Sequence, residues 1–146
     1  LFTPTTDEPA AALERLSSFV RTLGAEPHVV DPTEHDELLA FVSHLPQLAT
    51  SALMHVVGTT AGEKGLALTG RGLFDATRLA SSPADIWRDI CRSNADAIGG
   101  ALDEFIGELQ RIRAELNSGA EIDRVFDSAG TWRARLAALK TAKQVD

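Results

Sequence analysis

The chain has 146 residues, 44% of them apolar, so it is long enough for one globular domain and too apolar to be disordered. Its net charge of −7 argues against nucleic-acid binding, which needs clustered Lys and Arg, and against docking on an anionic membrane. The single cysteine, Cys91, excludes an internal disulfide and fits a reducing compartment such as the cytoplasm, and no apolar run approaches the ~18 residues of a membrane span.

The first thirty residues have the pattern of a short α/β segment. After the apolar stretch LFT, a helix is predicted from Pro9, preceded by Asp7 and Glu8, to Gly24. AEPHVV, residues 25–30, is predicted to form a strand of about four residues. Strand, helix, strand is the order found at the end of an α/β unit, and two such short strands cannot form a sheet alone. The rest of that sheet is therefore expected outside this chain.

From residue 31 the pattern becomes helical. The sequence DPTE, residues 31–34, supplies an N-cap, a first-turn proline and an acid at the third position. The helix is predicted to run to about Val57, with Gly58 as its C-terminal cap. Pro46 lacks the amide that would bond to the carbonyl of Val42, so a kink or break is expected there.

The segment GTTAGEKGLALTGRG, residues 58–72, contains five glycines and is predicted to be a mobile loop. It lacks the GxxxxGK[ST] pattern of a phosphate-binding loop, and Gly70-Arg71-Gly72 has no third glycine at position 75. A short helix or turn is predicted in LFDATRLA, residues 73–80.

Two further helical stretches complete the chain. One begins with Ser82 as N-cap and Pro83 at the first position and extends to residue 117, with a break expected at Ser93–Asn94 or Gly99–Gly100. The last covers residues 120–140. The second half of the longer stretch carries one apolar stripe, formed by Leu102, Phe105, Ile106, Leu109, Ile112 and Leu116.

The histidine spacing does not favour a metal site. His35 and His44 are nine residues apart, near 900° on a regular helix, which predicts that they point to opposite sides. His44 and His55 share a face but lie about 16 Å apart along the axis, too far for one ion. Cys91, one turn after Trp87, has ordinary core spacing.

The helix that carries His44 has polar neighbours that a purely structural helix does not need. A single histidine among apolar residues is usually a satisfied core residue, and Arg78 has an internal partner available in Asp75, three residues earlier. The alternative is a binding site, because Ser43 and Gln47 flank His44 and a buried arginine needs an anionic partner.

Three stretches together resemble the C-terminal helical domain of prephenate dehydrogenase. They are HDELLAFVSHLPQLATSAL, GLFDATRLASSPADIWRDICRSNADAI and ALDEFIGELQRIRAEL. The family pattern runs HD, SHLPH, a glycine-rich loop, D-x-T-R-[IL]-A and a Trp-Arg-Asp-Ile segment, and residues 31–117 match it in order. Residues 1–30 resemble the last helix and strand of the family's dinucleotide-binding domain.

The resemblance implies a mainly α fold, with residues 1–30 as the remnant of a dinucleotide-binding domain and residues 31–146 as an all-helical substrate-cleft and dimerisation domain. It implies an NAD- or NADP-dependent enzyme of tyrosine biosynthesis that oxidatively decarboxylates prephenate or arogenate. The glycine-rich cofactor turn and the catalytic histidine would precede Leu1, and the chain begins without Met, as a fragment would. This portion alone is therefore expected to hold no catalytic residue, cofactor or metal.

The resemblance also assigns roles at six positions. Arg78 matches the arginine that binds the substrate carboxylate, Asp75 matches the acid paired near it, and Trp87 matches an aromatic that borders the cleft and comes from the neighbouring subunit in some members.

On the preceding helix, His35 and His44 match the histidines of HD and SHLPH. Gln47 replaces the second histidine of SHLPH; it can donate a hydrogen bond but carries no charge, which leaves the choice between prephenate, a small dianion, and arogenate open.

The apolar side chains of residues 83–117 exceed what one layer of helices covers, which predicts a symmetric homodimer through this segment. Two other functions stay open: a helical dimerisation or ligand-sensing module without catalysis, and a dehydrogenase acting on another hydroxy acid. Tyrosine feedback and the role of the last helix are not determined by the sequence.

Overall fold

The structure, a computed structural model, describes residues 1–5 and 9–142. This part of the chain is mainly helical, as the sequence predicts. The elements in chain order are α1 Ala10–Thr22, α2 Pro32–Leu39, a π-helical turn Ala40–His44, α3 Leu45–Leu66, α4 Arg71–Ala76, a 3₁₀ turn Arg78–Ser81, α5 Ala84–Ser93, α6 Ala95–Ala114 and α7 Ala120–Ala142. None of the described helices is both long and apolar enough to cross a membrane.

The first thirty residues form one helix and one strand-like contact. Helix α1 begins after Pro9 and is followed by Gly24, whose φ of 77° is the left-handed conformation that glycine adopts at helix ends. In place of the strand predicted over residues 25–30, the described residues have only an isolated parallel bridge between Phe2 and Val29. Asp7 and Glu8, which precede the predicted helix, lie outside the described residues.

The predicted N-cap of α2 is confirmed, and the expected break at Pro46 takes the form of a π-helical turn. The Asp31 carboxylate accepts hydrogen bonds from the backbone N–H groups of Thr33 and Glu34, at 2.8 and 3.2 Å. Just before Pro46, the N–H of Leu45 donates to the carbonyl of Ala40, five residues back. The wider turn redirects the backbone at the point where proline supplies no donor.

Helix α3 is longer than the sequence predicts. It continues past Gly58, which is not its cap, to Leu66, so the prediction of a loop is wrong for residues 58–66. The interruption falls instead at Gly62, with φ of 59° and ψ of −167°. Glycine lowers helix propensity, but the residues between these glycines include the good helix formers Ala61, Glu63, Lys64 and Leu66.

The helical stretch after residue 82 is divided. Pro83, rather than Ser82, occupies the N-cap of α5, because the Ser82 hydroxyl bonds to a distant side chain. Asn94 has φ of −128° and ψ of 39°, outside the helical region, and separates α5 from α6. The break therefore lies at Ser93–Asn94, and Gly99–Gly100 is inside α6. Residues 83–117 are two helices and not a single rod.

The described residues form two compact units, one within residues 1–102 and the other within residues 103–146. The first unit contains the buried apolar core of the described residues, Ala40, Ile98 and Ala101. The side chains that pack around this core are Leu45, Leu48, Ile90, Cys91, Ala97 and Leu102. Cys91 is thus a packing residue, as its spacing predicts.

Charged side chains connect the two helices of the second unit. Arg124 of α7 bonds to Glu108 of α6 and to Glu121, and Arg111 bonds to Glu108 with its Nε at 2.9 Å. No described residue of this unit is buried. Its apolar side chains therefore stay largely open to solvent in the single chain.

Candidate functional site

The first unit contains a cluster of buried polar side chains where α2, the π turn, α3 and the α5–α6 junction meet. Among the described residues, four polar side chains are buried: Ser17, His44, Gln47 and Asn94. We use the name polar cluster for the last three. Burial of polar groups costs free energy unless they are hydrogen-bonded, so their partners indicate what the cluster does.

His44 is the last residue of the π turn and contacts both the α5–α6 junction and α5. Its Nδ1 lies 3.5 Å from Nδ2 of Asn94. Its ring meets the indole of Trp87 edge to face, with ring centroids 6.1 Å apart and an angle of 79° between planes. Trp87 is half-buried and makes this contact within the same chain.

Burial disfavours the charged form of His44. Desolvation lowers the pKa of His44, the nearby Asp36 carboxylate opposes this by raising it, and His35 lowers it further. The net direction is downward from the ordinary histidine value, so the imidazole is neutral at pH 7.

His35 acts electrostatically on His44, and the sequence predicts that the two side chains point to opposite sides. That prediction assumed a continuous α-helix, and the π turn between them changes their relative direction. His35 is half-buried, and its Nδ1 lies 3.0 Å from Oδ1 of Asp36. His55 is exposed and is not part of the polar cluster. In the described part of the chain, no three His, Cys, Asp or Glu side chains converge as a metal site requires.

Gln47 connects α3 to the 3₁₀ turn. Its Nε2 donates to the carbonyl of Leu79 at 2.7 Å and to Oγ of Ser51 at 3.2 Å. Its Oε1 accepts from Oγ of Ser82 at 3.1 Å. Both amide hydrogens and the amide oxygen therefore have partners within the chain.

Arg78 and Asp75 are both exposed and do not pair with each other. Arg78 opens the 3₁₀ turn, which packs against α3, and Asp75 lies on α4. Within residues 1–5 and 9–142, no carboxylate lies within 4.0 Å of the Arg78 guanidinium. The internal partner considered for Arg78 is thus not formed, and the guanidinium is open to an external anion.

Asn94 is a member of the polar cluster that the sequence reading did not select. Its Nδ2 donates to the backbone carbonyl of Asp36 at 2.8 Å as well as facing His44. Next to it, an open pocket of about 530 Å³ lies between the start of α2 and the α5–α6 junction. The sequence feature that points to Asn94 is the predicted helix break at Ser93–Asn94. A polar side chain at a helix break can bond to backbone groups that have no partner within a helix.

The family model described as "Prephenate dehydrogenase, dimerization domain" matches residues 31–141. The chain belongs to the prephenate dehydrogenase family. The match covers the polar cluster, Arg78 and all of α2 to α6.

Individual family members agree with this assignment. The prephenate dehydrogenase of Bacillus subtilis is 32% identical over 139 residues, which cover 91% of this chain and 37% of that protein. The cyclohexadienyl dehydrogenase of Zymomonas mobilis is 32% identical over 124 residues, 81% of this chain and 41% of that protein. This chain thus spans about two fifths of the length of these curated relatives.

The fold is also that of a solved member of the family. The prephenate dehydrogenase of A. aeolicus, solved in complex with hydroxyphenyl propionate and NAD+, superposes with a TM-score of 0.81 over 92% of this chain and 48% of that one. At 24% identity this likeness concerns the fold alone.

Proposed function

We propose that this chain is the C-terminal portion of an NAD- or NADP-dependent dehydrogenase that converts prephenate or arogenate in tyrosine biosynthesis, in the cytoplasm. The observation that carries the proposal is the guanidinium of Arg78, which has no carboxylate partner among the described residues. Arg78 lies on a turn that is hydrogen-bonded to Gln47 of the polar cluster, in a chain of this family. An arginine without an internal carboxylate partner is suited to bind a carboxylate ligand through two parallel hydrogen bonds.

The substrate is proposed to lie against the face formed by Arg78, His44, Trp87 and His35. Arg78 binds the ring carboxylate. Asp75, three residues earlier, orients the Arg78 guanidinium when the ligand is present. His44, neutral at pH 7, donates a hydrogen bond to a ligand oxygen, and Trp87 provides an apolar border. A net charge of −7 does not oppose this, because a local cation dominates the field at short range.

Gln47 supports this face indirectly. Its amide is occupied by Leu79, Ser51 and Ser82, so its effect on the substrate passes through the 3₁₀ turn that carries Arg78. In this arrangement Gln47 fixes the position of the backbone that carries Arg78. The Gln47 side chain is uncharged and does not itself bind the ligand.

The cofactor is proposed to bind elsewhere in the full-length protein. This sequence contains no G-x-G-x-x-G turn, the feature that holds a dinucleotide pyrophosphate at a helix N-terminus. NAD or NADP accepts hydride when bound, and the residues of this chain bind and orient the substrate. Residues 1–30 are proposed to be the end of the dinucleotide-binding domain and residues 31–146 the substrate-cleft and dimerisation domain.

The experiment compares the steady-state kinetics of the full-length wild-type enzyme with those of its Arg78→Ala variant. Both are measured with prephenate and with arogenate, using each cofactor. Losing a charged bidentate contact costs roughly 1.5–3 kcal/mol, which is about 10- to 150-fold in KM. The carboxylate leaves as CO₂, so tight binding there does not favour the transition state, and kcat is expected to fall less than KM rises.

Arg71→Ala is the matched control. Arg71 is exposed at the start of α4, and its replacement by alanine removes the same guanidinium group. The KM of this variant is expected to stay unchanged. An unchanged KM in Arg78→Ala would refute the role of Arg78. A full-length protein that is folded but inactive with both substrates would instead support a module without catalysis.

A further inference from the structure

We propose that Asn94 is a positioning residue, which holds the His44 imidazole as its Nε2–H tautomer so that this N–H is offered to an oxygen of the bound molecule. The identity of that molecule rests on the proposed function. The Asn94–His44 relation rests on the geometry of the polar cluster and is independent of it.

The first step is the orientation of the Asn94 amide, which follows from its backbone partner. The atom of Asn94 that lies 2.8 Å from the Asp36 carbonyl oxygen must be the NH₂ group, because a carbonyl oxygen can only accept. Turning the amide over would place two oxygens against each other. The main-chain acceptor thus decides the orientation of the amide, which the positions of its heavy atoms alone leave ambiguous.

The second step is the tautomer of His44. The same Nδ2 atom of Asn94 lies 3.5 Å from Nδ1 of His44, so its second hydrogen is available for a long hydrogen bond to that ring nitrogen. Nδ1 must then carry a lone pair, since an N–H there would oppose another N–H. In neutral imidazole the proton is therefore on Nε2.

The third step concerns what Nε2 can reach. No described residue forms a hydrogen bond with Nε2 of His44. No fully buried side-chain nitrogen or oxygen lacks a partner in the described part of the chain, so Nε2 is not sealed from solvent. A ligand oxygen, such as a carboxylate or hydroxyl, can accept this hydrogen.

The charges around His44 are compatible with this state. Asp36 and His35, both on α2, are the ionisable groups that act on His44, and the Trp87 and Asn94 side chains that contact it carry no charge. Protonation of His44 would set an Nδ1–H against the Asn94 NH₂, which opposes the charged form in the same direction as burial.

The test is an NMR titration of the histidine ring nitrogens in the 146-residue chain, with His44 assigned by comparison with His44→Gln. We expect His44 to show only the Nε2–H tautomer, whereas the exposed His55 of the same sample shows a mixture. A mixture at His44 like that at His55, or the Nδ1–H tautomer, would overturn the proposal without any variant of Asn94.

Asn94→Asp then tests the cause. A carboxylate accepts from Nδ1 and stabilises the imidazolium, so the titration midpoint of His44 is expected to rise by about one pH unit or more, and its neutral form should move to Nδ1–H. Asn117→Asp adds the same charge in the exposed turn after α6 and should leave His44 unchanged.

An unchanged midpoint in folded Asn94→Asp contradicts the proposal. These measurements use no substrate and no cofactor. A negative result in them therefore leaves the assignment of the chain to a dehydrogenase intact, and a failure of the Arg78 experiment leaves the tautomer result intact.

Discussion

At the scale of single residues, the neutral state of His44 links stability to pH. A histidine whose pKa is lowered on folding binds more protons in the unfolded chain than in the folded one between the two pKa values. The free energy of unfolding therefore rises with pH in this window. The contribution of neutral His44 to this free energy is fully present above the ordinary histidine pKa of about 6.5. It is lost as the pH falls through that value towards the lower pKa of the folded state.

Denaturant unfolding of the chain at pH 7.5 and at pH 5 measures this dependence. We expect wild type to lose stability between the two, and His44→Gln to lose less over the same interval, because the variant has no group there to charge. His55→Gln removes an exposed histidine and should keep the wild-type dependence. Equal losses in wild type and His44→Gln would exclude His44 as the source.

The site residues differ in how far the sequence could predict them. His44 and Gln47 were selected because polar groups in an apolar helix need a reason, and the structure finds both buried. The relative direction of His35 and His44 could not be predicted, because angles counted along a sequence assume one type of helix. Asn94 was overlooked because its partners are a main-chain carbonyl and a ring 50 or more positions away.

At the scale of secondary structure, two glycines of α3 should respond in opposite ways to alanine. Gly62 has φ of 59° and ψ of −167°, a region adopted almost only by glycine, so Gly62→Ala should destabilise the chain by about 1–3 kcal/mol. Gly58 is helical, and an added Cβ would meet only Met54 Cε, at 3.9 Å. Gly58→Ala should therefore be neutral or stabilising by about 0.4–1 kcal/mol.

Thermal unfolding of the two variants beside wild type is sufficient to distinguish these outcomes. A loss of stability in Gly58→Ala equal to that in Gly62→Ala would show that α3 is not interrupted where the structure has it.

The helices were predictable where caps and apolar periodicity agree, as at Asp31 for α2 and Gly24 after α1. The end of α3 was not, because the glycine count of residues 58–72 favours a loop while the intervening residues favour helix. Ser82 was misplaced as an N-cap since its hydroxyl has a tertiary partner in Gln47, which local sequence does not reveal.

At the scale of the whole molecule, the described residues bury few apolar side chains and leave many large ones exposed. The core of the first unit has three buried apolar residues, and no large side chain among the described residues is fully buried. In the second unit, large apolar side chains stand open: Phe105, Ile106, Leu109, Leu116, Phe126, Trp132, Leu136 and Leu139. Such a surface marks an interface, and the family model is that of a dimerization domain.

We therefore expect a symmetric homodimer through residues 83–117, with an interface above roughly 2,000 Å² in total. Light scattering of the chain should give the dimer mass at micromolar concentration. Leu109→Glu places a charge on the exposed stripe and should yield monomer or unfolded chain, whereas Gln110→Glu adds the same group at a polar position and should remain dimeric. A monomeric wild type would rule the dimer out.

The π-helical turn contains one residue more than an α-helix along the same path would contain. The reason is that each of its hydrogen bonds spans five residues instead of four. A deletion of one residue between Ala40 and Ser43 would restore ordinary helix there and cost little regular structure. It would also rotate everything before it by about 100° relative to α3. The Asp36 carbonyl would then move away from the Asn94 amide. Such a chain would fold into the same helices but would lack the hydrogen bond that joins α2 to Asn94 of the polar cluster.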